Sequence, residues 1–476
     1  METSGPGEAP MRLKNYTVAI LSSLLFLTGC AAVRTVEEWN RVQTFAKEQT
    51  GVKMGWVKSE EENRAIQSEV KKLLSDGLSM DEAVRIALLN NPKLQAFLEE
   101  LGIAKAELVQ AGLLTNPTLS GLIRFPFGGG KSEIEADGLI NIADLWQIPF
   151  KKKSAEIRLE ATILRTCDEI LNTISEAKHA YVDFVSLFRI LDEVKKTKKE
   201  VEDWRGHLLY RQKFGFTSDL EIFAADVAVI DNTLDLAMTE RDLRSSRLRL
   251  NRVLGLVRER PEYEISVGIS EDIKPLPDLD VLINFAISKR PDMQIAKLKV
   301  EDLKRVLALE RKRIFSNLET GVSYAREADG KSFWGPMVEI QLPIFDQNQA
   351  QIAKAEYTLR RAEKEVGAKS ENILEEVSDA FERLLFVTKE LALIRDRMIP
   401  VRKNAVNFSE KYFHAMQLNM VYLLESRQKF LEANRRYFET LREYHHRIIG
   451  LERVLGGVLP IAAMEWKDDP KHHGGH

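Results

Sequence analysis

The chain has 476 residues, 30% of them charged and 44% hydrophobic, with a formal net charge of -3 and two cysteines. That balance gives no sign of a nucleic-acid partner, and two cysteines make no disulfide framework. The length suits two or three ordinary domains or one long architecture, and only 15 prolines interrupt it, as long helices require.

Residues 1–29 read as a secretory signal: Arg12 and Lys14 precede an apolar run from Val18 to Leu27 that is too short for a comfortable membrane span. Met11 is the expected start, because Met1 to Pro10 only delays the basic region. The run ends in Leu27-Thr28-Gly29-Cys30, which resembles a bacterial lipobox. Cleavage before Cys30 would leave it to carry a covalent lipid, whose methylenes bind membrane. The plainer alternative is an ordinary signal with a chance cysteine. Residues 30–77 then form a lipid-anchored N-terminal segment, and Cys167 reads as a small buried apolar group in a helix.

From there the chain is written twice. "SMDEAVRIALLNNPKLQAF" at 79–97 matches "DLDVLINFAISKRPDMQIA" at 278–296, each a short amphipathic helix followed by a new helix that starts at a proline. Pro149 in "WQIPF" pairs with Pro343 in "QLPIF", and Leu254-Gly255 with Leu455-Gly456. The copies span 78–257 and 278–457, joined by a linker at 258–277 and followed by a tail at 458–476 that is expected to be disordered. In the first copy a helix at 92–113 leads to a β-hairpin within 117–148, with strands at 117–126 and 137–148. A helical run at 151–213, a break at 214–222 and a returning helix at 219–254 follow. The second copy repeats this as a helix at 291–316, strands at 318–327 and 333–342, a run at 345–414, a break at 415–425 and a return at 420–455. Ile373, Val377, Ala380, Leu384, Val387, Leu391, Ile394 and Met398 alternate four and three apart, a coiled-coil seam, and Ile174, Ala177, Tyr181, Phe184, Phe188 and Leu191 repeat it in the first copy.

The stretch "FPFGGGKSE" at 125–133 ends like a phosphate-binding loop, but Phe125 stands where the first glycine belongs. Gly330-Lys331-Ser332 recurs at the same place in the other copy, so both stretches read as hairpin loops. Val338, Ile340 and Leu342 alternate with Glu339 and Gln341, and Leu119, Ile123 and Phe125 with Ser120 and Arg124, giving each strand an apolar and a polar side. Trp146, Phe333 and Trp334 are expected near strand ends, where a membrane barrel carries aromatic girdles. A small soluble sheet would show the same alternation. Lys151-Lys152-Lys153 marks either a membrane–water boundary or a solvated turn.

Four strands cannot close a barrel, which needs roughly eight. In lipid an open edge would leave backbone groups unsatisfied. If the strands span a membrane, several chains must share one barrel. Taken together, the signal with its lipobox, the two copies, "NNP", the strand-ending prolines and the helix breaks resemble the TolC-type outer membrane factors, over about Leu78 to Gly457. The lipidated channels of heavy-metal and drug efflux look most similar. The resemblance implies a mainly α fold with a small β part: duplicated coiled-coil hairpins, and four strands per chain in a shared barrel of twelve strands. It also implies a homotrimer in bacterial outer-membrane lipid, a long periplasmic portion, and docking to a periplasmic adaptor and an inner-membrane pump.

The family's periplasmic tip maps onto Phe214, Gly215, Phe216 and Thr217 in the first copy and onto Met416 and Gln417 in the second, where Met416 replaces the usual glycine. Asp219, Glu221, Tyr422 and Glu425 are the corresponding candidates for a pore gate; Tyr422 stands where some relatives have a carboxylate, so a doubly acidic gate does not carry over. Gly215 also suits a plain helix cap, and Glu425 a solvated helix face. His472, His473 and His476 in the tail could bind transition metal or be solvated, while His445 and His446, adjacent on a helix, make a poor bidentate site. No HExxH, paired CxxC or GxSxG motif is present, so no enzyme and no cofactor other than the lipid is expected. The leading expectation is a passive export duct; the alternative is a periplasmic coiled-coil scaffold or adaptor lipoprotein without a pore.

Overall fold

The computed structural model describes residues 33–458, apart from 263, 266–267, 274–275, 314–317, 416 and 419. Cys30, Met416 and the histidines of the tail lie outside the described residues.

Helices α1 (Val36–Thr50) and α2 (Glu60–Ser75) lead in, the latter capped by the Ser59 side chain accepting from Glu62 N–H. α3 (Met80–Asn90) opens with a reciprocal Ser79–Glu82 capping box, and Pro92 starts α4 (Pro92–Ala111) with Asn91 as its cap. Strands β1 (Thr118–Arg124) and β2 (Glu133–Asn141) follow, then α5 (Asp144–Gln212) and the returning α6 (Asp219–Leu254). The order recurs as α7 (Leu279–Lys289), α8 (Pro291–Lys312), β3 (Leu318–Arg326), β4 (Ser332–Ile340) and α9 (Gln349–Leu393). A π-turn (Ile394–Met398) joins α9 to α10 (Ile399–His414), and α11 (Met420–Leu455) returns. The π-turn sits just before Pro400, which has no N–H for the Asp396 carbonyl, so the helix widens there instead of breaking. The 69 residues of α5 extend about 100 Å. Among the described residues no helix is long and apolar enough to cross a membrane.

The long helices lie side by side in the order α6, α5, α11, α9–α10. Each copy has its own apolar core. One joins α1 and α3–α6 around Leu88, Leu98, Ile170, Tyr181 and Leu250; the other joins α7, α9 and α11 around Leu282, Ile373, Leu384, Leu441 and Leu455. The proline-led joints explain the duplicated motif. Asn91 Nδ2 donates to the Val253 carbonyl at 2.8 Å, and Arg290 donates to the Val454 carbonyl at 3.1 Å, so the residue before each proline closes the end of the returning helix. Gly255 and Gly456 end those helices at φ 73° and 82°, packed so closely that a Cβ at 255 would lie 2.3 Å from the Asn90 carbonyl oxygen. Only glycine meets both demands.

Several boundaries differ from the sequence reading. The strand expected at 137–148 runs from Glu133 to Asn141, and α5 begins at Asp144, so Trp146 lies on a helix and Pro149 inside one. The strand expected at 333–342 ends at Ile340. "LINIADLWQI" stays apolar across the change from strand to helix, and hydrophobicity alone does not mark where the period shifts.

Candidate functional site

The four strands form one antiparallel sheet in the order β1-β2-β3-β4. Its centre is the junction between the copies, where β2 pairs β3 through Leu139↔Gly321 and Asp137↔Ser323. A Cβ at Gly321 would lie 1.8 Å from the Gly138 carbonyl oxygen, so the two backbones approach as only glycine permits.

The register sorts the residues onto two faces. One face carries Leu119, Ile123, Ala136, Ile140, Val322, Tyr324, Trp334, Pro336, Val338 and Ile340, with Thr320, Arg326 and Ser332 as its polar members. The other carries Ser120, Arg124, Glu133, Glu135, Asp137, Asn141, Glu319, Ser323 and Glu339, with Leu122, Leu139, Met337 and Phe333 among them. Polar groups there bond across strands: Arg124 to Glu135 at 2.6 Å, Ser323 to Asp137 at 2.6 Å. No segment of the described chain covers the apolar face. Leu119 is 84% exposed, Trp334 80% and Val338 66%. Among the described residues the outer edges of β1 and β4 have no strand partner. Strands of seven to nine residues reach about 23–30 Å, the height of a hydrocarbon layer.

The opposite end is built by the two helix turns. At the α5–α6 turn Gly215 takes φ 73°, and Phe216 N–H reaches back to the Arg211 carbonyl at 3.1 Å. At the α10–α11 turn Gln417 N–H makes the same five-residue return to the Tyr412 carbonyl at 2.9 Å. Phe214 and Phe216 are exposed, and Thr217 is half-buried. Asp219 accepts from Gln212 Nε2 at 2.8 Å, and Glu221 is held in a capping box with Ser218. Tyr422 is exposed, and the exposed Glu425 is paired with Lys429 one turn on, which lowers its pKa. Two contacts bring the turns together. Arg211 lies 6.0 Å from the Phe413 ring centroid, and Met420 packs on the small cluster of Leu208, Ile222 and Ala225.

The outer helices carry a further pattern that the sequence reading missed. Phe223, Val227, Ile230, Leu234 and Met238 form an exposed apolar stripe on α6. Phe386, Leu393, Val401, Phe408 and Tyr412 form another along α9–α10, at the other side of the helical row. Their helical spacing is legible in the sequence, but spacing alone does not say which stripe faces a neighbouring helix and which faces outward.

No family profile matches the chain. Solved structures do: CusC, described by its transmembrane channel formation, superposes with a TM-score of 0.66 at 16% identity, covering 82% of this chain and 92% of that one. The CmeC outer membrane channel of Campylobacter jejuni gives 0.65 at 14% identity, covering 82% and 87%. The chain shares the fold of these outer membrane channel structures. A curated relative, the cobalt-zinc-cadmium resistance protein CzcC of Cupriavidus metallidurans, is 21% identical over 402 residues, 80% of this chain and 90% of that protein.

Proposed function

We propose that the protein is the outer-membrane channel of an efflux system, passively conducting what an inner-membrane pump delivers. The observation that carries this is the sheet: one face apolar and uncovered, the other charged, and both edges open. A charged face needs water and an apolar face lipid, and a closed barrel satisfies both together with the edges. Three copies supply twelve strands. The same rotation brings the α6 stripe of one subunit against the α9–α10 stripe of the next and closes the helices into a cylinder. The scaffold alternative leaves Leu119, Trp334 and Val338 in water and the edges of β1 and β4 open to aggregation.

On this reading Cys30 carries the lipid anchor in the outer membrane. The tip formed by Phe214, Gly215, Phe216, Thr217, Met416 and Gln417 meets a periplasmic adaptor, and Asp219, Glu221, Tyr422 and Glu425 line the constriction. The Lys429 ammonium offsets the charge that a ring of Glu425 alone would present, so the gate is a weaker cation site than a bare acidic ring. Likeness to CzcC supports the heavy-metal branch. The test is reconstitution of the purified full-length protein in planar bilayers. The expected result is stepwise conductance from trimers; trimers that never conduct would sink the transport reading.

A further inference from the structure

The two copies meet along the seam between α5 and α11, and this seam is polar where each copy's own core is apolar. Lys178 pairs with Glu452 at 2.7 Å, and Arg453 reaches Asp168 at 2.8 Å and Asn172 at 2.6 Å. In the same seam His179 of α5 and His446 of α11 stack with centroids 4.7 Å apart and planes 18° from parallel. Their Nδ1 atoms face each other in hydrogen-bond contact. His446 Nε2 is committed to Asp183 Oδ1 at 2.8 Å.

That arrangement has one place for a proton between the rings. With one Nδ1–H, one ring donates and the other accepts. A second proton sets two N–H groups against each other and removes the contact. We propose that the His179–His446 pair is a proton-operated latch between the two halves of the subunit, closed while the rings share one proton between their Nδ1 atoms and released when a second proton enters there.

The surrounding charges pull both ways on His179: His446 and Arg447 lower its pKa, Asp183 and Glu443 raise it, and burial decides the balance. From α11, Arg442 and Arg447 lie near the pair, with Glu443 tied to Arg447; from α6, Arg249 reaches Asp183 at 3.3 Å. From α5 itself come Asp183 and Lys178, the latter already neutralised by Glu452. From the linker the neighbouring group is the Ser270 carbonyl, which binds His445 Nε2 at 2.7 Å and leaves His446 alone to face α5. Burial, then His446, lowers the pKa of His179 from its ordinary value to about 4, while the hydrogen bond from His446 helps hold the Asp183 carboxyl below its ordinary range against burial. A histidine whose pKa is depressed in the closed form stabilises closure above its free pKa and loses that contribution as pH falls. Taking a free value of about 6.5, the loss begins near pH 6.5 and is complete near pH 4.

Hydrogen–deuterium exchange of the full-length protein in lipid nanodiscs, corrected for intrinsic rates, reads the latch directly. Between pH 7.5 and pH 5.0 the opening equilibrium of segments 170–190 and 440–452 is expected to rise about 30-fold, the ratio fixed by the two pKa values. His179→Phe keeps the stack without the proton and is expected to abolish that rise; His179→Arg is expected to open the seam already at pH 7.5. Asp168, whose pKa burial raises, is a second titrating group in the seam, and it is intact in His179→Phe. An unchanged seam in the wild type, or a pH response that survives His179→Phe, overturns the proposal.

Discussion

The helical staves and the sheet bury apolar surface in opposite ways. Apart from the outer stripes of α6 and α9–α10, the staves cover theirs within one chain: Leu282, Ile373, Leu384 and Leu455 are wholly buried, and the proline-led joints tie each returning helix to the helix pair at its base. The sheet covers nothing. Its apolar residues point away from every described segment, and its only internal order is the register between strands and the polar bonds on the other face. A region that is complete alone answers to its own side chains. A region that is incomplete alone answers to what surrounds it, which on the proposed function is lipid and sister subunits.

The largest expected effect that separates the two lies in a helical joint. Arg290 is buried and binds Asp292 at 2.7 Å, Glu376 at 2.5 Å and the Val454 carbonyl. Arg290→Ala leaves Asp292 with Lys369 as its remaining partner and is expected to cost about 3–5 kcal/mol, towards the lower end because that pair survives and Glu376 is half exposed. Thermal melting of the helices, followed by circular dichroism, checks this. Burial works against Asp292, but hydrogen bonds from Arg290 and Lys369 hold its pKa well below the ordinary carboxylate value. The sign follows: this joint contributes fully above about pH 4 and weakens only as pH falls below that. The α5–α11 seam, in contrast, responds from about pH 6.5 downwards.

Next in size is Leu384→Ala, in the core of the second copy, at about 2–5 kcal/mol. The loss is expected in detergent-solubilised monomer and in assembled protein alike, because the partners of Leu384 belong to its own chain. Val338→Arg, on the exposed apolar face, sharpens the contrast. It is expected to leave the melting of the isolated chain unchanged, yet to cost about 2–4 kcal/mol in lipid and reduce the yield of heat-labile trimers. Equal effects of Val338→Arg in water and lipid would erase the distinction between the regions.

The sequence disclosed the helices better than the strands. The limits of α6 and α11 coincide with the reading because Ser218 and Gly255 mark one and Gly456 the end of the other. β2 was misplaced because apolar residues continue from Leu139 through Trp146 while the backbone changes from strand to helix. Alternation in β4 and β1 foretold the two faces, since a period of two survives in any register. The order of the four strands into one sheet was not readable, because the β2–β3 pairing rests on Gly138 and Gly321, which say nothing in sequence about each other. Nor was the seam of His179, Asp183 and His446: these residues are more than 260 positions apart across the two copies and meet only once α5 and α11 are side by side.

The account rests on a sheet with lipid on one face and water on the other, and single-cysteine labelling in liposomes tests that most directly. In a Cys167→Ser background, cysteines at Ser323, Glu339 and Asp137 are expected to react with a membrane-impermeant maleimide, while those at Val322, Tyr324 and Val338 are expected to be silent to it and quenched by a lipid-borne probe. Alternation with a period of two along β3 and β4, with Asp137 of β2 on the aqueous side, is the predicted result; uniform reactivity with the aqueous reagent on both faces would contradict it.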